Sequence, residues 1–536
     1  MPMLKTQTTP LFTEAEWNFE TLEKVFKEIQ CIAEEDLGLN VYPIDIEIIS
    51  AEQMLDAYCS IGMPQMYRHW SFGKRFAREE ELYRRGFQGL AYEIVINSSP
   101  CIAYCMEGNT MTMQTLVMAH AAFGHNHFFK NNCLFKQWTD AEGILEYLRF
   151  AKDYIAQCEE KYGIEKVEEI LDAAHALMDQ GVFRYQRRHK INWKKELEEK
   201  EARRKEYAAE TYNPLWGTLP RSALPKELSD EERKLRDRKR ELQLPEENIL
   251  YFLEKNSPIL KEWQREILRI ARNLAQYFYP QKQTKMMNEG CATFVHHHIL
   301  YALYEKGLLG EGSMIEFVGS HTNVTFQPGF DDPRYSGINP YHLGFEMMQD
   351  IKRICTGTDP TTGKPCPSDV LEEDARWFKG QDIIGKDWRD VLKDAWANYR
   401  DESFVLQFLS PYLIRKLNLF ALADVHDTQH YEVVEVSDDE GYQRIRQLLA
   451  QMYDLSFNEP DIQIVDVDLL GDRRLRLQHT VHDHIVLKKE DASMTLEHIK
   501  RLWGYDVTLV GVNQEDGTQE YNVSTNNTGS EEYNGY

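Results

Sequence analysis

The sequence predicts an α+β protein, a mainly helical N-terminal domain followed by a small C-terminal α/β domain. Three observations carry that expectation. Apolar residues recur at helical spacing through most of the chain before His430. From His430 onward, short alternating runs such as YEVVEV, IQIVDVDL and VTLVGV are interleaved with helical ones. The 536 residues are 42% hydrophobic and 12% aromatic, enough for a large core and, at ~100–200 residues per domain, for more than one domain.

Taken in order, Thr13–Gly38 reads as an amphipathic helix, with Trp17, Leu22, Val25, Phe26, Ile29 and Ile32 spaced to share a face. Ile44, Ile46 and Ile48 alternate, so Tyr42–Ile49 reads as a strand. Ala91–Asn97 reads as another, followed by a Ser-Ser-Pro break and the apolar run CIAYCM. Thr110–Phe129 reads as a buried helix, and Thr139–Glu142 as a capping box that opens the next one. Asn248–Leu309 is again helical, Gly310–Pro340 loop-rich, and Pro340–Ile354 and Asp387–Asn398 helical. Helices at Glu440–Tyr453 and Met494–Trp503 complete an α/β domain with a mainly antiparallel sheet. The domains expected are therefore a helical core in two parts, 13–192 and 248–429, and the small domain at 430–512. A charged helical connector at 193–247 separates the two core parts, and a disordered acidic tail closes the chain at 513–536.

Composition excludes several classes. The balance of 62 Lys+Arg against 87 Asp+Glu gives −25 at neutral pH, a field that repels nucleic acid and anionic membranes. No run of ~18 apolar residues suggests a membrane span, and the N-terminus lacks a secretory signal pattern. The nine cysteines are scattered without a C-x-x-C pair, which points to reduced thiols and a cytoplasmic protein. Neither a G-x-x-x-x-G-K-[ST] loop nor a G-x-G-x-x-G turn occurs.

Two segments concentrate metal-binding side chains in apolar helices. VMAHAAFGHNHFFKNN carries His120, His125 and His127, and MNEGCATFVHHHIL carries Glu289, His296, His297 and His298. Glu289 and His296 lie two helical turns apart and share a face. His120 and His125, by contrast, would diverge by about 140° on an ideal helix and converge only if it ends or bends near Gly124. The spacing is not that of the H-E-x-x-H zinc motif. A site of His120, His125, Glu289 and His296 would be assembled from two helices, with imidazole and carboxylate donors suited to zinc, iron or manganese. The competing reading is that these histidines satisfy buried hydrogen bonds and order the core.

Other constellations are weaker. Glu107, just ahead of the His120 helix, is a possible general base or a helix cap. Arg68, His69, Trp70, Lys74 and Arg75 suggest an anion site or a surface cation–π cluster. Arg400, Asp401 and Glu402 read as an ion-pair network.

The runs MPQMYRHWSFGKRF, YEIVINSSPCIAYCMEGNTMTMQTLVMAH, GHNHFFKNN, NEGCATF, INPYHLGF and YRDESFVLQFLSP resemble the SpoVR family (stage V sporulation protein R), from about Thr13 to Val510. At Cys291 the chain departs from the family's usual NEGWATF. The resemblance implies a cytoplasmic bacterial protein linked to spore cortex formation or to stress and stationary-phase physiology. It also implies a serine protein kinase and a von Willebrand-type protein as partners, and it supplies no catalytic residue. Two functions stand as expectations, a His/Glu metal-dependent hydrolase with Glu107 as base and a non-enzymatic adaptor in a kinase-linked stress pathway.

Overall fold

Asn18 starts the first helix by accepting the Thr21 N–H at 2.9 Å. Helix α1 runs Phe19–Cys31, with Leu22, Val25 and Ile29 buried, and passes into a π turn at Ile32–Asp36. It is shorter than the expected Thr13–Gly38 because the cap sits at Asn18, in extended backbone. The computed structural model describes residues 9–59, 63, 66–84, 92–184, 242–423, 432–434, 438–482, 485–514 and 516–525. Most of the charged connector expected at 193–247 lies outside them.

The described chain forms two compact units. Residues 1–161 and 277–458 make the first, and residues 162–276 and 459–536 the second. In the first unit, strands β1 (Ile44–Ile49), β2 (Glu93–Ile96) and β3 (Cys101–Met106) form a sheet of order β1-β3-β2, with β1 parallel and β2 antiparallel to β3. The middle strand is mostly buried, so CIAYCM reads as a nearly continuous apolar run. Register sets Glu93 opposite Cys105.

Thr110 caps helix α2 (Met111–Val117), accepting the Met113 N–H at 3.1 Å. The chain then widens into a π-helix over Met118–His125 before closing as an α-helix at Asn126–Asn131. Beside it run α3 (Lys285–Glu305), α4 (Glu311–Val324), α5 (Pro340–Thr356) and α6 (Asp401–Phe408). Two short strands, β4 (Ala421–Ala423) and β5 (Glu432–Val434), pair antiparallel.

Two local expectations are corrected here. Helix α4 occupies the region read as loop-rich. Its two glycines lower intrinsic propensity, but full burial of Phe317 supplies the packing that holds it. Thr139 does not cap the following helix (Ile144–Tyr162). Its hydroxyl donates to the Phe135 carbonyl, and Asp140 takes the Gly143 N–H instead.

The second unit holds a four-stranded sheet of order β6-β7-β8-β9, with β6 at Asp461–Val467, β7 at Leu475–Val481, β8 at Val507–Asn513 and β9 at Gln519–Ser524. The parallel pair β7–β8 is joined through helix α7 (Lys489–Trp503), as a parallel crossover requires, and the other pairs are antiparallel. Strand β9 lies inside the segment expected to be a disordered tail. Tyr521 and Val523 are buried from alternate positions, a short period-two signal masked by polar neighbours.

Among the described residues the cysteines are free thiols, and no helix is long and apolar enough to cross a membrane.

Candidate metal centre

The π-helix resolves the awkward spacing of His120 and His125. Hydrogen bonds that close on i+5 bring residues five apart onto one face, so no bend at Gly124 is needed. The two rings meet with centroids 4.6 Å apart. Gly124 has a different task. A Cβ there would lie 2.5 Å from Ala292 Cα, so the glycine lets the π segment press against α3. On the far side of α3, a Cβ on Gly290 would lie 2.7 Å from the Gly344 backbone, so α5 approaches equally closely. Asp401, buried at the start of α6, accepts the Met286 and Met287 N–H groups at 2.8 and 2.9 Å and fixes the N-terminus of α3.

These contacts place Glu289 against the histidines. His125 Nε2 lies 3.6 Å from Glu289 Oε2, and His120 Nε2 lies 3.9 Å from the same oxygen and 3.6 Å from Glu93 Oε1. Such separations are too long for hydrogen bonds and near the ~3–3.5 Å between donors that share an ion with bonds of ~2.0–2.2 Å. Glu289 Oε2 is buried without a hydrogen-bond partner. The His120, His125 and Glu289 donor atoms all lie within 4.8 Å of one another, and the group can hold a metal ion.

The surroundings orient those donors. His125 Nδ1–H donates to Asn288 Oδ1 at 2.9 Å, which leaves Nε2 bare toward Glu289. His120 Nδ1 shares a hydrogen bond with His296 Nδ1 at 2.9 Å, and His296 Nε2 shares another with His321 Nδ1 at 3.0 Å. Burial, then the neighbouring Glu289 carboxylate, pushes the pKa of the Tyr341 phenol up. Burial, reinforced by neighbouring imidazoles, drives the pKa of His120 and His296 well down and keeps both neutral. Burial, then the Glu289 charge, pushes the Glu93 carboxyl up to about 8.

The sequence-predicted residues therefore separate. His120, His125 and Glu289 come together, while His296 lies one layer out with both ring nitrogens engaged by histidines. Glu107 is exposed at the turn after β3, where its backbone meets Trp17 and Ile49, and the half-buried carboxylate beside the cluster is Glu93. His127 accepts the Asn40 N–H at 2.9 Å, a structural contact. Trp70 is exposed beneath Lys74, 6.0 Å from its ring, as a surface cation–π pair would be. Glu93, His321 and Tyr341 escaped sequence reasoning. Glu93 sits in the quoted strand and Tyr341 in INPYHLGF, but neither lies in a histidine-rich run, and His321 is in the segment read as loop.

A helical protein with two His-bearing helices converging on half-buried carboxylates is the class that fold and site define. Within that class the chain belongs to the SpoVR family. The family model for SpoVR like protein matches residues 16–458, and that for the SpoVR-like C-terminal domain matches residues 460–514. The chain is 51% identical over 516 residues, 96% of each partner, to "Uncharacterized protein YcgB" of Escherichia coli (strain K12). No solved structure matches it.

Proposed function

We propose that the protein is a metal-dependent hydrolase whose centre is formed by His120, His125 and Glu289, with Glu93 as the carboxylate that handles the proton. The single observation that carries this reading is the buried, unpartnered Glu289 Oε2 facing two imidazole Nε2 atoms. Zinc, iron or manganese would each suit that donor set. A divalent ion there would supply Lewis acidity, polarising a bound oxygen and lowering its pKa. Glu93, 3.6 Å from His120 Nε2 and mostly protonated at neutral pH, is placed to give its proton to a leaving group and to recover one from water. Asn288 holds His125 in the tautomer that presents Nε2 inward, and Tyr341 stands beside Glu289. The chain from His120 through His296 to half-buried His321 offers a route by which the site exchanges protons with the surface.

The cytoplasm fits the free cysteines, and cortex or stress physiology, with a serine kinase and a von Willebrand-type protein as partners, remains the setting that family resemblance suggests. The adaptor alternative rests on the connector at 193–247, most of which lies outside the described residues.

The test is elemental analysis of the purified full chain beside His120→Ala and Glu289→Ala, each verified folded by circular dichroism. About one divalent metal per chain, lost in both variants, is expected. A wild type that holds none after reconstitution would overturn the reading. If metal is held, screening esters, amides and phosphate esters should find an activity that Glu93→Gln lowers by roughly 10²–10⁴-fold with metal retained.

A further inference from the structure

We propose that a second cleft in the first unit, between α3 and α5, binds a small organic oxyanion that carries an aromatic ring. The cleft encloses about 380 Å³, inside the ~300–1,000 Å³ range of small-molecule sites. None of Glu93, His120, His125 and Glu289 lines it, and its walls come from the face of α3 that bears His297, His298 and Tyr301.

The charges on its interior wall are accounted for, with one exception. Arg353 pairs with Asp350 and Asp374, each at 2.6 Å, and Lys416 pairs with Glu346 at 2.6 Å. Asp359 accepts the Thr361 and Thr362 N–H groups at 2.9 and 2.8 Å. Lys352 stands apart. It is half-buried, its ammonium lies 4.8 Å from the centre of the Trp388 ring, and among the described residues it makes no salt bridge. Burial, then the Arg389 guanidinium, lowers its pKa, against the attraction of exposed Glu305 at the rim.

A partly desolvated ammonium on an aromatic face, with no salt bridge and only exposed Glu305 as a counter-charge, is the arrangement that an incoming carboxylate or phosphate completes. The rest of the cleft favours a flat apolar group beside that anion. Tyr301, Phe345 and Tyr412 supply ring surface, and the His297 ring lies 4.4 Å from that of Tyr301. Burial pushes His297 down to about 3, so the imidazole adds a neutral donor and acceptor. Gln349 and Thr361 add further polar contacts at the wall. The proposal is independent of the metal reading, since the cleft and the cluster share a helix but no side chain.

Isothermal titration of the full-length protein with phenyl phosphate and with inorganic phosphate tests it. Wild type should bind phenyl phosphate saturably, and more tightly than inorganic phosphate. Lys352→Met should weaken phenyl phosphate by roughly tenfold or more, and Lys352→Arg should retain most of the affinity. Glu289→Ala should bind as wild type does. If Lys352→Met fails to fold, Lys352→Gln replaces it with the same expected loss. The proposal is overturned if phenyl phosphate does not saturate wild type by about 10 mM, or if removing the Lys352 charge leaves affinity unchanged. It is also overturned if Glu289→Ala alone abolishes binding, which would put the anion at the metal cluster.

Discussion

Tyr341 and Asn288 show how much of a metal site is built outside its ligands. Neither donates an atom to the His120, His125 and Glu289 group, yet one stands beside the Glu289 carboxylate and the other holds the His125 ring. Outer partners of this kind carry roughly 10–100-fold in metal affinity. Tyr341→Phe should therefore weaken zinc or manganese binding by about tenfold, read by competition with a chromophoric chelator, while the thermal midpoint stays close to wild type. An unchanged affinity would remove Tyr341 from the site. At this scale the sequence was legible for His120, His125 and Glu289, because three strong donors sat in apolar helices. It was not legible for Glu93, a lone carboxylate on a strand whose meaning comes from what lies opposite it. His296 sat in the most conspicuous run of all, and its two ring nitrogens are taken by His120 and His321.

Among the elements, the π-helix at Met118–His125 and the glycine contacts beside it set the geometry of the cluster. Helical periodicity assumes one pitch, so the five-residue histidine spacing looked like divergence until the pitch changed. Gly124→Ala would drive a Cβ into the Ala292 backbone and separate the π segment from α3. The expected cost is about 1–3 kcal/mol of stability by denaturant titration, together with a loss of metal affinity, since His125 and Glu289 ride on the separated helices. Asp401→Ala should likewise cost about 1–3 kcal/mol, because it strands the Met286 and Met287 N–H groups in the core. The run YRDESF was readable as an ion-pair network, but its use as a cap for a helix more than a hundred positions earlier is tertiary information. Helix α4 was missed for a similar reason, its packing around Phe317 outweighing poor local propensity.

On the scale of the whole molecule, the buried neutral histidines contribute stability that is lost as pH falls, while the raised carboxyls of Glu93 and Asp401 contribute in the opposite direction. Burial lowers His298 and His479 to about 4 and His297 to about 3, against ~6.5 in an unfolded chain. Between those values the unfolded state's imidazoles bind more protons, so the stability these histidines contribute is fully present above about pH 6.5 and falls as pH drops toward 4. His479, buried against the Tyr521 hydroxyl at 2.7 Å, should contribute on the order of 1–2 kcal/mol to that loss. Urea titrations of wild type and His479→Gln from pH 7 to pH 5 should show the variant losing less stability than wild type over that range.

The division of labour along the chain was also partly visible. The α+β class and the C-terminal sheet followed from periodicity, whereas β9 was hidden because a short, polar edge strand carries too few apolar positions to announce itself.

The pairing of His125 with Asn288 across 163 positions has a consequence for how the protein is made. At ~5–20 residues per second, roughly 8–30 s separate emergence of the two from the ribosome. Through that interval the apolar segment around His120 has no α3 to cover it, and its bare imidazoles are open to adventitious ions. The nascent chain thus passes through a period of vulnerability to mismetallation and self-association, which a holding chaperone or a low free-metal pool would shorten or make harmless.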